Sequence, residues 1–176
     1  MQDILVVVDM QNDFITGVLG TPEARSILPR VVEKVNGFAG EVICTLDTHG
    51  KDYMEKQEGR CLPVAHCVAG TSGHALCGEL LALEQIRRAE KFEKSTFGSL
   101  ALMEALEKRA NTISSITYIG VCTDICVVSN VLLVKAALPE IPVIVDASCC
   151  AGVTQEKHFA ALETLRSCQV QITGVE

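Results

Sequence analysis

No stretch of this 176-residue chain reaches the ~18 consecutive apolar residues that a membrane-spanning helix requires. Met1-Gln2-Asp3 supplies neither the basic flank nor the apolar segment of an export signal, so the expected location is the cytoplasm. Fifteen Lys and Arg stand against 22 Asp and Glu, a net charge of −7, and no basic cluster interrupts that balance. The electrostatic footprint of a nucleic-acid or anionic-membrane partner is therefore missing. Neither G-x-G-x-x-G nor G-x-x-x-x-G-K-[ST] occurs, which argues against NAD. No C-x-x-C pair occurs among nine cysteines, and an odd count without an export signal predicts reduced thiols, buried or reactive, over a disulfide framework or a zinc knuckle.

What is present is an ordinary core composition, 48% hydrophobic and 21% charged, with no repeat and no Pro/Gly/Ser-rich linker. That predicts one compact soluble domain over residues 1–176. Residues 4–8 form an unbroken β-branched apolar run, the pattern of a strand covered on both faces in a parallel sheet. Residues 42–46, 113–120, 141–145 and 169–173 resemble it, and 88–92 is a more polar candidate. Helix-period stretches lie between them at 22–38, 100–110, 124–138 and 154–167. This alternation predicts an α/β three-layer αβα sandwich, its Rossmann-like sheet mostly parallel with about six strands. The irregular stretch 47–83 is too long for a passive connection, and loops of that length in a compact domain are usually functional.

In such sheets ligands bind beyond the carboxyl ends of the strands, where Asp9, Asp47, Lys94 and residues 122–126 fall. Cys126 follows the fourth strand, with Thr123 or Asp124 as a cap that would put the thiol in the first turn of a helix. Backbone N–H groups there favour thiolate and can hold an oxyanion. From position alone Cys126 is equally a buried small hydrophobe. If the third strand adjoins the first, Lys94 lies beside Asp9 and orients a carboxylate that can take the thiol proton; an ordinary ion pair is the plainer alternative. Asp47, His49 and His66 carry donors suited to a divalent metal, Zn, Fe or Mn. Phe14 walls a pocket or packs a helix; His74 and His158 have no evident partner, and the adjacent Cys149 and Cys150 follow the fifth strand as buried thiols.

These pieces occur as Val-Val-Val-Asp9-Met-Gln-Asn-Asp13-Phe14, Asp47-Thr-His49, His66-Cys-Val-x-Gly70-Thr71-x-Gly73, Lys94-Ser-Thr-Phe97-Gly98-Ser99 and Gly120-Val-Cys-Thr123-Asp124-Ile-Cys126-Val. In that order they resemble the isochorismatase-like cysteine hydrolases, the group that includes nicotinamidases, over nearly the whole chain. The resemblance implies Cys126 as nucleophile, Asp9 as general base and Lys94 as the cation that orients the pair. It also implies an oxyanion hole from the backbone N–H groups of Cys122 and Cys126, next to a cis Val121–Cys122 bond, and Asp47, His49 and His66 as metal ligands. The implied reaction is cysteine-dependent hydrolysis of a small amide, nicotinamide first and carbamoyl or other amides behind it, through a thioester with release of ammonia. A homo-oligomer is implied as well, and a non-catalytic small-molecule binder of the same fold is the alternative. Two departures stand out. A further metal ligand, often His, is usual in the loop, where this chain has Asp52, Tyr53, Glu55 and Glu58; and Leu62-Pro63-Val64-Ala65 stands where the relatives commonly carry a Trp.

Overall fold

The computed structural model describes residues 1–175. In chain order its elements are β1 (Gln2–Val8), α1 (Asn12–Ile15), α2 (Pro22–Gly37), β2 (Glu41–Asp47), α3 (Gln57–Cys61), α4 (Gly78–Leu81), α5 (Glu84–Arg88), β3 (Glu90–Lys94), α6 (Leu100–Glu107), β4 (Ile113–Val121), α7 (Val128–Ala137), β5 (Val143–Ala151), α8 (Gln155–Ser167) and β6 (Gln171–Thr173). The six strands form one parallel sheet in the order β3-β2-β1-β4-β5-β6. Among the described residues no helix is long and apolar enough to cross a membrane.

β1 is a strand because Ile4 to Val8 are stiff at χ1 and apolar, and it is central because both of its faces are covered. Ile4, Val6 and Val8 join one core cluster, with α6, α7 and α8; Leu5 and Val7 join the other, with α2. Each such side chain withdrawn from water stabilises the fold by about 1.5–3 kcal/mol. α2 starts where Thr21 Oγ1 accepts the Ala24 N–H at 3.0 Å and Pro22 presets the first turn. It buries Ala24, Ile27, Val31 and Val35, one stripe at spacings of three and four, while Pro29 points to solvent on the opposite side.

Register places the site. Val8 pairs with Thr45 and with Gly120, and Asp47 pairs with Lys94, so the carboxyl ends of β1 to β4 finish side by side. Gly120, at φ 116°, passes so close to the Val8 carbonyl that a Cβ would overlap it.

Several expected boundaries move. β3 runs over Glu90–Lys94, later than residues 88–92, which brings Lys94 into the strand itself. β5 extends to Ala151, so Cys149 and Cys150 lie within it and do not follow it; both are buried thiols. The helix expected over 124–138 begins with a π-type turn, Thr123–Val127, before α7 starts at Val128. The stretch 47–83 is not structureless: it holds a 3-10 turn at Tyr53–Glu55 and the short helices α3 and α4.

Candidate functional site

Asp9 directly follows β1 in the left-handed region, φ 50°, and is completely buried. Its Oδ1 accepts the Thr45 hydroxyl at 2.6 Å, and its Oδ2 lies 2.7 Å from Lys94 Nζ. The strand order corrects one expectation: β2 separates β3 from β1, so Lys94 is not on a strand next to Asp9. The contact forms because Lys94 stands at the carboxyl end of its strand, and its long side chain crosses the end of β2, passing Asp47 Oδ1 at 3.5 Å. The same ammonium is 3.5 Å from Cys126 Sγ. Carboxylate, ammonium and thiol thus meet in one buried group.

Burial pushes the Asp9 carboxyl above the ordinary carboxylate range, against the pull of Lys94. Burial alone would lower Lys94, but Asp9, Cys126 and Asp47 hold it well above the usual lysine value. Cys126 is pushed well up, first by burial and then by the Asp9 charge, with Lys94 opposing. Burial and the neighbouring carboxylate thus act against the helix end that favours thiolate. Desolvation and the Asp9 carboxylate favour the protonated thiol, while Lys94 and the partial charges of the turn favour the thiolate.

The Val121–Cys122 peptide bond is cis. Neither Thr123 nor Asp124 caps the following helix. Cys122 occupies the cap position without a side-chain bond, Thr123 Oγ1 pairs with His158 Nδ1 at 2.8 Å, and Asp124 Oδ1 accepts the Val153 N–H at 2.9 Å. Burial raises the Cys122 thiol to about 12, which leaves it protonated at neutral pH.

Asp47, His49 and His66 converge as the spacing suggests, with one donor atom of each within 4.8 Å of the others. Asp47 Oδ2 is 2.9 Å from His49 Nε2 and 3.3 Å from His66 Nε2. Glu58 Oε1 approaches both of these nitrogens at 3.8 Å, so α3 places an acidic side chain beside the group. A tetrahedral ion at zinc–nitrogen distances of about 2.0–2.1 Å spaces its ligands by roughly 3.3–3.5 Å, close to these separations. The His66 ring also fits. Its Nδ1 lies 2.8 Å from the Val64 carbonyl, an acceptor that fixes the ring with Nε2 toward Asp47, the orientation imposed on metal-bound histidines. The donors present therefore suit a divalent cation.

The loop that brings His66 in is tied down from α1. Asp13 Oδ2 accepts the Cys67 N–H at 2.8 Å, and a Cβ on Gly73 would overlap that carboxylate. Buried Gln11 holds Asp47 by both backbone groups, its Oε1 accepting the Asp47 N–H and its Nε2 donating to the Asp47 carbonyl, each at 2.8 Å. Asn130, four residues past Cys126 and buried, donates to the Cys126 carbonyl at 2.8 Å and to the Phe97 carbonyl at 3.0 Å. It also accepts the Ser99 N–H at 2.9 Å. Thr45, Asn130 and Gln11 were not among the residues expected from sequence. The signal for Thr45 and Asn130 was a polar residue inside an apolar run, at a strand position two before Asp47 or a helical turn after Cys126; Gln11, followed by Asn12 and Asp13, gave none. His74 finds Thr48 Oγ1 at 2.8 Å.

A cavity of about 430 Å³ opens onto this group, with Cys126, Cys122, Asp47, Glu58 and His66 at its polar end and Phe14 in its wall. The Phe14 ring stands edge-on to His66 at 5.6 Å.

A family model for the isochorismatase domain matches residues 3–176. The uncharacterized isochorismatase family protein PncA of Bacillus subtilis is 30% identical over 174 residues, covering 92% of this chain and 93% of its own. The zinc complex of the pyrazinamidase of Pyrococcus horikoshii superposes with a TM-score of 0.83 at 25% identity, over 99% of this chain and 100% of that one. The N-carbamoylsarcosine amidase of Thermoplasma acidophilum gives 0.76 at 26% identity, over 98% and 96%.

Proposed function

The chain belongs to the isochorismatase family, and on that footing we propose that it is a cysteine amidohydrolase that cleaves the C–N bond of a small amide. Similarity to a pyrazinamidase and to a carbamoylsarcosine amidase supports C–N hydrolysis as the class. The observation that carries the reading is the buried meeting of Cys126, Lys94 and Asp9 at the floor of the cavity, with Lys94 Nζ at 3.5 Å from the sulfur and 2.7 Å from the carboxylate.

In this reading Cys126 Sγ attacks the amide carbon as its proton passes to Asp9. A thiol held above its normal pKa is a poor nucleophile at rest and needs that base, whose contribution is about 10²–10⁴ in rate. Lys94 keeps the carboxylate aimed and offsets the negative charge that moves between oxygen and sulfur. The carbonyl oxygen becomes an oxyanion facing the backbone N–H groups of Cys122 and Cys126, where each such donor is worth about 10²–10³. Asp9 returns the proton to the leaving nitrogen, ammonia departs, and a thioester remains on Cys126. Asp9 then takes a proton from water, whose oxygen adds to the thioester carbon. Collapse expels the sulfur, which recovers the proton, and releases the carboxylic acid. Asp47, His49 and His66, with Glu58, would hold a divalent ion beside this group, and such an ion supplies Lewis acidity toward a bound substrate atom or water.

Nicotinamide heads the candidates, with carbamoyl and other non-pyridine amides after it. The test is ammonia release from a panel of small amides by wild type and Cys126→Ala. Release that disappears in Cys126→Ala while the circular dichroism spectrum stays intact is expected; undiminished release in that variant would overturn the proposal.

A further inference from the structure

The reading above leaves two kinds of amide open, uncharged ring carboxamides and carbamoyl compounds that carry a carboxylate. The cavity wall distinguishes them. Away from the reacting group it is apolar, formed by Phe14, Val18, Leu62, Phe97, Ile125 and Val153. Four of these reach the rim and are exposed there: Val18 by 60%, Phe97 by 47%, Leu62 by 39% and Val153 by 37%. A water-facing apolar rim of this kind marks a ligand surface more than a folding requirement.

The fixed charges in the wall are carboxylates, and its one imidazole, His66, is already paired with Asp47 at 3.3 Å. Asp47 and Glu58 contribute carboxylates, and among the described residues no Lys or Arg lines the cavity. Lys94 lies beneath it with its side chain 2% exposed, and its charge is already spent on Asp9 and Asp47. A divalent ion at Asp47, His49 and His66 would carry two positive charges against the two carboxylates of Asp47 and Glu58, so it leaves no surplus to pair with an anion.

We infer that the site selects uncharged amides with an apolar body and discriminates against amides bearing a carboxylate. The inference rests on the amidohydrolase reading and narrows its substrate class. A carboxylate entering the cavity exchanges water for apolar side chains and two like charges with no unpaired cationic group to receive it, whereas an uncharged ring fills the same space at no such cost.

The test compares two amides of nearly equal shape, 3-acetylbenzamide and 3-carbamoylbenzoate, by ammonia release at pH 7.5. The expected kcat/KM ratio favours the acetyl compound by on the order of 100-fold or more. Val18→Arg and Leu62→Arg each put a guanidinium at the rim, and either is expected to raise kcat/KM for the carboxylate about 10-fold or more relative to the acetyl compound. Wild-type ratios near one, or a preference for the carboxylate, overturn the inference while leaving the amidohydrolase reading in place, as does an unchanged ratio in both arginine variants. Ammonia release from neither compound, nor from any amide of the wider panel, overturns the reading and the inference together.

Discussion

Thr45→Val removes one hydroxyl from the centre of the site and changes almost nothing else, because valine keeps the shape and the β-branched fit to β2. The Thr45 hydroxyl donates to Asp9 Oδ1 at 2.6 Å, and both residues are fully buried. Water cannot replace the lost donor. A hydrogen bond to a charged group is worth about 1.5–3 kcal/mol, and one pKa unit corresponds to about 1.4 kcal/mol, so the Asp9 carboxyl should rise by about 1–2 units. It already stands above the ordinary range through burial, and the change has the same sign. If Asp9 must be ionised to accept the Cys126 proton, the acid limb of the kcat/KM profile moves to higher pH by about 1–2 units, with the plateau far less affected. Thr45→Ser keeps the donor and should keep the limb. The assay is kcat/KM against pH for the best amide, with wild type and both variants melted in parallel. An unmoved acid limb in Thr45→Val, or an equal shift in Thr45→Ser, refutes Asp9 as the base.

Asn130→Ala deletes three hydrogen bonds, two of them buried, that join the Cys126 carbonyl to the Phe97–Ser99 turn. A loss of about 1–3 kcal/mol in denaturant unfolding is expected, with a fall in kcat larger than any change in KM. Metal analysis of the purified protein should find about one divalent ion per chain, lost in His66→Ala and weakened in Glu58→Gln; equal content in all three would remove the metal assignment. Asp146 offers a pH test away from the site. Burial raises it, but hydrogen bonds from Lys34 at 2.8 Å and Ser148 at 2.7 Å lower it on balance. A folded carboxyl below its unfolded value of about 3.9 contributes stability above that pH and loses it as pH falls through the lowered value. Asp146→Asn should therefore melt lower than wild type at pH 7, and the gap should close toward pH 3; a gap independent of pH would contradict this.

β1, β2 and β4 were legible because a strand covered on both faces is mostly apolar; Ile4–Val8 satisfies that without interruption, and Val42–Leu46 breaks it only at Thr45. β3 read weakly for a physical reason. It is an edge strand, with Glu90, Lys91 and Glu93 exposed, and charge on an edge blocks further pairing. The end of β5 was lost because Asp146 and Ser148 break the apolar run, although Gly120 and Val121 pair onto Cys150 and Ala151 regardless. Strand order is a long-range property, so the crossing of β2 by Lys94 was hidden while the residue itself was not. Asp9, Asp47, His49, His66, Lys94 and Cys126 announce themselves as polar or thiol groups at strand ends. Thr45 and Asn130 sit inside regular elements, where a single polar residue has many ordinary explanations. The same holds for the raised Cys126 thiol. Sequence shows the helix end that favours charge, whereas the burial that opposes it exists only after the chain has folded.

The most direct test of the central claim is the mass of the acylated protein. Wild type mixed with its best amide and quenched in acid within a turnover is expected to gain the mass of the acyl group, on the peptide that contains Cys126. Steady ammonia release without any such adduct, or with the adduct on another residue, would contradict thioester catalysis by Cys126.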